Sequence, residues 1–111
     1  MTTIYHITQS HRWENAKQAG TYSIESLQTE GFIHCSTLQQ VIKTANRFFP
    51  KQKGLVLLCI NSDNVNPEIK YEDADGDEFP HIYGELNIDA VYKVIDFEPK
   101  EKGLFILPNE I

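Results

Sequence analysis

Three histidines, His6, His34 and His81, keep similar company: each lies among apolar neighbours, in Tyr5-His6-Ile7, Ile33-His34-Cys35 and Pro80-His81-Ile82. An imidazole taken out of water without a partner is costly, so each ring must bond a neighbouring group or line a cleft where a ligand completes its bonding. One such histidine is ordinarily a satisfied core residue. Three in a chain of 111 residues point to a shared pocket. Glu72, beside Tyr71, offers a carboxylate at a strand end that can bind ribose hydroxyls or act as a base. An exposed strand glutamate is its ordinary alternative.

Anion binding has a second source. Ser36-Thr37 opens a helical segment, and the free N–H groups and positive dipole end of such a segment can receive a phosphate or carboxylate beside His34. Arg47 follows ten residues after Thr37 on the less apolar side of that segment, where a surface charge is the common outcome. Other chemistries fit less well. His6, His34, His81 and Cys35 include no HxxxH, HxH or CxxC pair that would fix two zinc ligands on one element, so no metal site is expected. Asp73-Ala74-Asp75-Gly76-Asp77-Glu78 places its glycine two positions early for a calcium loop and reads as a solvated acidic turn. Cys35 adjoins His34, but neighbours along a strand point to opposite faces and form no thiolate–imidazolium pair. Ser36 reads as a helix cap.

The elements that must position these groups follow from periodicity. Ile4-Tyr5-His6-Ile7 reads as a strand. Thr8 or Ser10 then caps a helix with Trp13, Ala16 and Ala19 on one face, ended by Gly20. Residues 21–30 alternate loosely and read as extended, up to a turn at Gly31. Phe32-Ile33-His34-Cys35 is extended and runs into Thr37, which with Gln40 forms a capping box. Leu38, Val41, Ile42, Ala45, Phe48 and Phe49 make one apolar helical stripe, stopped by Pro50. Residues 55–60 are continuously apolar, the mark of a central strand covered on both faces. Ile69-Lys70-Tyr71-Glu72 reads as a half-buried strand, Pro80 and Gly84 set a turn around His81 and Tyr83, and residues 90–95 and 104–107 complete five to seven strands. With two main helices this is an α+β chain, expected to form one domain over residues 1–111.

Composition bounds the partners. Sixteen acidic against ten basic residues leave a net charge of −6, which disfavours extended nucleic acid, because that partner needs clustered Lys and Arg. A small molecule or nucleotide is compatible. The longest apolar run is shorter than a membrane span, and the polar start Met1-Thr2-Thr3 is unlike a signal peptide. No membrane association and a cytoplasmic location are therefore expected. Cys35 and Cys59 read as free packing thiols.

Ile4-Tyr5-His6-Ile7-Thr8, Trp13, Gly31-Phe32-Ile33-His34-Cys35-Ser36-Thr37, Ala45-Asn46-Arg47-Phe48-Phe49, residues 55–60, Tyr71-Glu72 and Phe79-Pro80-His81-Ile82-Tyr83-Gly84 together resemble one bacterial family of small proteins, domain of unknown function 952. The family's fold is similar to that of ADP-ribosyltransferases. The resemblance implies a split, mostly antiparallel β-sheet clasping NAD, and NAD or another nucleotide as cofactor or substrate. In that superfamily an early His or Arg binds the nicotinamide ribose, an aromatic or hydroxyl residue supports the cofactor, and a late Glu polarises the ribose or the acceptor. Tyr5-His6-Ile7-Thr8 looks like the Tyr-His-Gly-Thr strand of some members, with Ile7 in place of Gly. Glu72, Glu78 and Glu85 are all candidates for the late carboxylate, and Glu72 is taken as the electrostatic partner. The implied activity is transfer or hydrolysis at a ribose carbon, with His6, His34 and Glu72 as catalytic groups. Tyr5, Thr8, Ser36, Thr37, Arg47, His81 and Tyr83 then contact the ligand. A non-catalytic binding module is the rival expectation, and a structural or interaction domain with all three histidines packed is a third.

Overall fold

Leu55-Val56-Leu57-Leu58-Cys59-Ile60 makes up most of a central strand in the computed structural model, which describes residues 2–111. The chain runs β1 (Thr3–Gln9), α1 (Ser10–Ala19), β2 (Thr21–Tyr22), α2 (Ser26–Thr29), β3 (Ile33–His34), α3 (Val41–Phe48), β4 (Leu55–Asn61), β5 (Glu68–Ala74), β6 (Asp77–Tyr83), β7 (Leu86–Asn87) and β8 (Val91–Phe97). Strand β4 lies between β1 and β8, antiparallel to both. Its six apolar residues are all buried, because alternate side chains feed two separate cores. Val56, Leu58 and Ile60 join Ile4 of β1, Trp13 and Ala16 of α1, Tyr22, Ile33 and Ile82. Leu55, Leu57 and Cys59 join Tyr5, Ile7, Val41 and Ala45 of α3, Ile95, Phe97 and Phe105. Each fully buried Leu or Ile contributes about 1.5–3 kcal/mol relative to exposure.

Two further sheets complete an α+β fold in which every ladder is antiparallel: β2 with β7, and β3-β6-β5. The two larger sheets meet at one bridge, where Tyr5 and Ser36 exchange N–H···O bonds of 2.8 Å each. The sheet is therefore split. Tyr5 and His6 of β1, His34 of β3 and Thr44 and Phe48 of α3 line one cavity.

Helix α1 ends as expected, with Gly20 at φ 91° donating its N–H to the Ala16 carbonyl. Its start differs: the N-cap is Gln9 and makes no side-chain cap bond, and Ala19 is exposed. The expected capping box forms in half, Gln40 Oε1 accepting the Thr37 N–H at 3.0 Å. Thr37 thereby opens a turn over residues 38–40 that precedes the regular helical residues. The stripe on α3 is shorter than its sequence pattern. Val41 and Ala45 are buried, whereas Leu38 and Phe48 are 39% and 60% exposed.

Four expectations fail. Residues 21–30 contain the two-residue β2 and the helical turn α2. Residues 79–84 run largely in strand rather than turn, as part of β6. Pro80 fits there because its missing N–H lies on the β3 side, where its carbonyl receives the Cys35 N–H at 3.0 Å. The full β5 ladder is kept. Residues 104–107 form no strand. Instead the Asn46 side chain pairs with the Phe105 backbone, Nδ2 donating to the carbonyl at 3.2 Å and Oδ1 accepting the N–H at 2.7 Å. Among the described residues the strand count is eight. The acidic segment after Tyr71 is a two-residue hairpin: Asp75 and Gly76 sit at φ 55° and 83° between the paired Ala74 and Asp77, a type I′ signature.

Candidate functional site

Strand pairing brings two of the histidines together. His34 of β3 is the direct partner of His81 on β6, so both rings project from one face, 5.4 Å apart and edge to face. Phe32, two residues before His34 and on the same face, stacks on His81 at 4.0 Å and 15°. The opposite face carries Ile33, Ile69 and Ile82 into the core. The alternation that buries these isoleucines therefore also aims the histidines away from it.

Glu72 reaches His81 diagonally from β5. Its Oε1 accepts from His81 Nδ1 at 2.8 Å and from the Tyr83 hydroxyl at 2.5 Å. These two donors, Tyr83 foremost, hold the Glu72 carboxyl below the usual carboxylate range, and Glu72 in turn raises the Tyr83 hydroxyl. A carboxylate only accepts, so His81 Nδ1 carries the proton of this bond, and whenever the ring holds a single proton its lone pair is on Nε2. His81 is 4% exposed. Among the described residues Nε2 has no hydrogen-bond partner, and the ring lines a cavity.

His6 is held differently. Its Nδ1 donates to the His34 carbonyl at 2.6 Å, and its Nε2 meets the Tyr22 hydroxyl at 2.8 Å. Tyr22 also donates to Thr8 Oγ1 at 2.8 Å. Burial pushes the imidazole down to about 4, against the opposing pull of the His34 carbonyl, and pushes the Tyr22 hydroxyl up to about 12. At neutral pH the ring therefore has one proton, on Nδ1, and the Tyr22 hydroxyl hydrogen has two claimants, His6 Nε2 and Thr8 Oγ1. Both nitrogens of His6 are thus engaged by the protein, and the ring ties β1 to β3 and β2. Tyr22→Phe removes the shared hydroxyl from a buried site and leaves His6 Nε2 and Thr8 Oγ1 without this partner. It is expected to cost about 1–3 kcal/mol, read as a lower midpoint in urea unfolding. An unchanged midpoint would show that the chain of bonds carries no stability.

The cavity has a volume of about 390 Å³ and opens between α3, the start of α2 and the β5–β6 hairpin. Of the residues marked by the sequence, Tyr5, His6, His34, Ser36 and His81 line it. Glu72 and Tyr83 stand behind His81, and Thr8 behind Tyr22. Arg47 lies beside the mouth, paired with Asp75 at 3.0 Å. Thr37 is not brought in: its N–H is taken by Gln40, whose amide donates to Asp77 Oδ2 and the Glu78 carbonyl at 3.0 and 2.6 Å. The anion site expected at that helix start is thus filled by the protein's own groups. Glu78 and Glu85 are exposed, and neither lines the cavity.

Sequence reasoning missed Phe32, Tyr22, Glu30 and the apolar wall of Phe48, Phe49 and Phe79. Phe32 was within reach, since period 2 puts it on the face of His34. Glu30, whose Oε2 accepts from His34 Nε2 at 2.7 Å, lies across a bend that no local pattern announces. Burial raises both the Cys35 and the Cys59 thiol, which favours the protonated, less nucleophilic form. Among the described residues no group of three or more His, Cys, Asp or Glu is placed to hold a metal ion, and no helix is long and apolar enough to cross a membrane.

Residues 7–94 match the family model described as a protein of unknown function, DUF952. The chain belongs to the DUF952 family. The crystal structure of protein CC0527 from Caulobacter crescentus is similar, with 33% identity over 96% of this chain and 95% of that one and a TM-score of 0.86. The solution NMR structure of CC0527 is 31% identical over 100% and 97% of the two chains, also with a TM-score of 0.86. No curated protein matches the chain at a significant level. The family match spans the strands that carry His34, Glu72, His81 and Tyr83, so the cleft lies within the DUF952 unit itself, with His6 one residue before it.

Proposed function

We propose that the cavity binds a nucleotide, NAD among the candidates, and that this DUF952 domain is an ADP-ribosyltransferase-like enzyme acting at a ribose carbon. The observation that carries this reading is the Glu72–His81 pair, with a buried imidazole oriented through Nδ1, an Nε2 without a partner among the described residues, and a ring that lines the cavity. Such a nitrogen accepts a hydrogen bond from a ribose hydroxyl, or takes the proton of an acceptor hydroxyl. As the acceptor oxygen bonds to the ribose carbon, its proton passes to Nε2. The displaced base departs with the electrons of the broken glycosidic bond. Phe48, Phe49 and Phe79 suit a flat ring. The volume lies near the small end of the roughly 300–1,000 Å³ of ligand pockets, so a ring with its ribose enters and further phosphates stay at the mouth. The split between the two larger sheets supports the ADP-ribosyltransferase-like reading of the fold, and the net charge of −6 favours a small ligand over extended nucleic acid in the cytoplasm.

The test is an NMR and thermal-shift titration with NAD, ADP-ribose and AMP, on wild type and His81→Ala. Wild type at 100-fold excess over Kd is expected to gain about 2.7 kcal/mol, and His81→Ala to bind at least about tenfold more weakly, the loss of one good hydrogen bond. Silence of the wild type towards all three ligands would sink the nucleotide reading. Equal binding by His81→Ala would remove His81 from it. Binding without turnover is the second reading, favoured by the full engagement of both His6 nitrogens. Chromatography of NAD after incubation separates the two, since only the enzyme releases nicotinamide.

A further inference from the structure

At the mouth of the cavity a carboxylate of the protein already occupies a place where a ligand's phosphate would find a guanidinium. Asp75, at the tip of the β5–β6 hairpin, lines the cavity together with Phe48 of α3. Arg47, the residue before Phe48, bonds Asp75 Oδ2 through a guanidinium nitrogen at 3.0 Å, and its Cζ stands 5.1 Å from the Phe48 ring centroid. Both members of the ion pair are about half exposed, at 55% and 54%. Phe48 is 60% exposed, an uncovered aromatic surface beside an apolar cavity. The other acid on the lining, Glu25, is held by Arg12 at 2.8 Å.

We infer that the Arg47–Asp75 pair is a latch: the hairpin carboxylate fills the anion subsite, and a phosphate-bearing ligand binds by displacing Asp75 from Arg47. This rests on the nucleotide reading of the cavity. Carboxylate and phosphate present the same pair of acceptor oxygens to the guanidinium fork, and phosphate adds charge and a third oxygen, so the exchange favours the ligand. An exposed pair is weakly held, which makes it exchangeable. The Asp75 backbone lies in the left-handed region beside Gly76, so the type I′ turn aims the carboxylate at α3. The ligand ring then lies against Phe48 once the hairpin tip has given way.

Asp75→Asn isolates the latch, because Asn-Gly is the preferred sequence for a type I′ turn and the hairpin is kept while the charge is lost. Wild type, Asp75→Asn, Arg47→Gln and the double variant are titrated with AMP, adenosine and inorganic pyrophosphate, following the amides of residues 74–76 by NMR. Asp75→Asn is expected to bind AMP and pyrophosphate about two- to fivefold more tightly, the worth of an exposed ion pair, with adenosine unchanged. Arg47→Gln is expected to weaken both phosphate-bearing probes and to make Asp75→Asn silent. The latch is overturned if Asp75→Asn tightens neither phosphate-bearing probe, if it moves adenosine by the same factor, or if no variant binds either phosphate. Pyrophosphate following the expected pattern while AMP and adenosine bind no variant would leave the latch standing and bring down the nucleotide reading. Nucleotides that bind wild type and Asp75→Asn alike would do the reverse.

Discussion

Between pH 7 and pH 4 the folding free energy is expected to fall by about 3 kcal/mol through His6 alone. Burial depresses its imidazole from 6.5 to about 4 in the folded protein, and each pKa unit is worth about 1.4 kcal/mol. The unfolded chain takes up the proton near 6.5, the folded chain only near 4, so across that window the unfolded state binds more protons and stability rises with pH. The contribution is complete above 6.5 and is lost as the pH falls to about 4. Physically, the Tyr22 oxygen could accept a second proton on His6 while donating to Thr8, and the cost lies in burying the imidazolium charge. Urea unfolding of wild type and His6→Gln at half-unit steps from pH 7.5 to 4 measures the effect. Wild type should lose stability steeply while the variant, weaker at the outset, follows a flatter line. Parallel lines would assign the acid sensitivity to other groups. Glu72 has the same sign but a lower window, since its carboxyl sits below the usual carboxylate range.

Leu58→Ala is expected to destabilise the protein by about 3 kcal/mol, within the roughly 2–5 kcal/mol of buried leucine truncations. Leu58 is fully buried in β4, is the ladder partner of His6 on one side and of Val94 on the other, and shares a core with Trp13, Tyr22 and Ile33. Strands hydrogen-bonded on both edges cannot close in on the lost methyls, so the void remains. The midpoint of urea unfolding should drop with the slope unchanged. A loss under about 1 kcal/mol would mean that α1 collapses onto the sheet. The same void lies beneath the His6 ring, so weaker nucleotide binding by a folded Leu58→Ala would link core packing to the cleft.

How far the cleft was legible depends on whether each contact is local. His34 and Ile33 were readable as opposite faces of one extended segment, because period 2 needs only neighbouring residues, and the same rule covers His81 and Ile82. That His34 and His81 are cross-strand partners required the pairing of β3 with β6, two strands that no hairpin joins and that α3, β4 and β5 separate along the chain. The sequence pattern of residues 79–84 instead suggested a turn, since proline and glycine carry the same local signal in a turn and at the end of an edge-free ladder. Arg47 and Thr37 were readable as helix residues, but their fates were decided by Asp75 and Gln40, which arrive from elsewhere or turn back on the chain.

By itself the sequence determined what rests on short-range physics: a buried central strand from six unbroken apolar residues, a helix ended by Gly20, an amphipathic helix stopped by Pro50, free thiols, an acidic surface, and membership of DUF952 through blocks retained in order. Tertiary structure alone decided which histidine does what. His6 is spent on the His34 carbonyl and Tyr22, and His81 is left with one nitrogen free because Glu72 takes the other. Those partners stand 28, 16 and 9 residues away in the chain, and only the pairing of strands makes them neighbours.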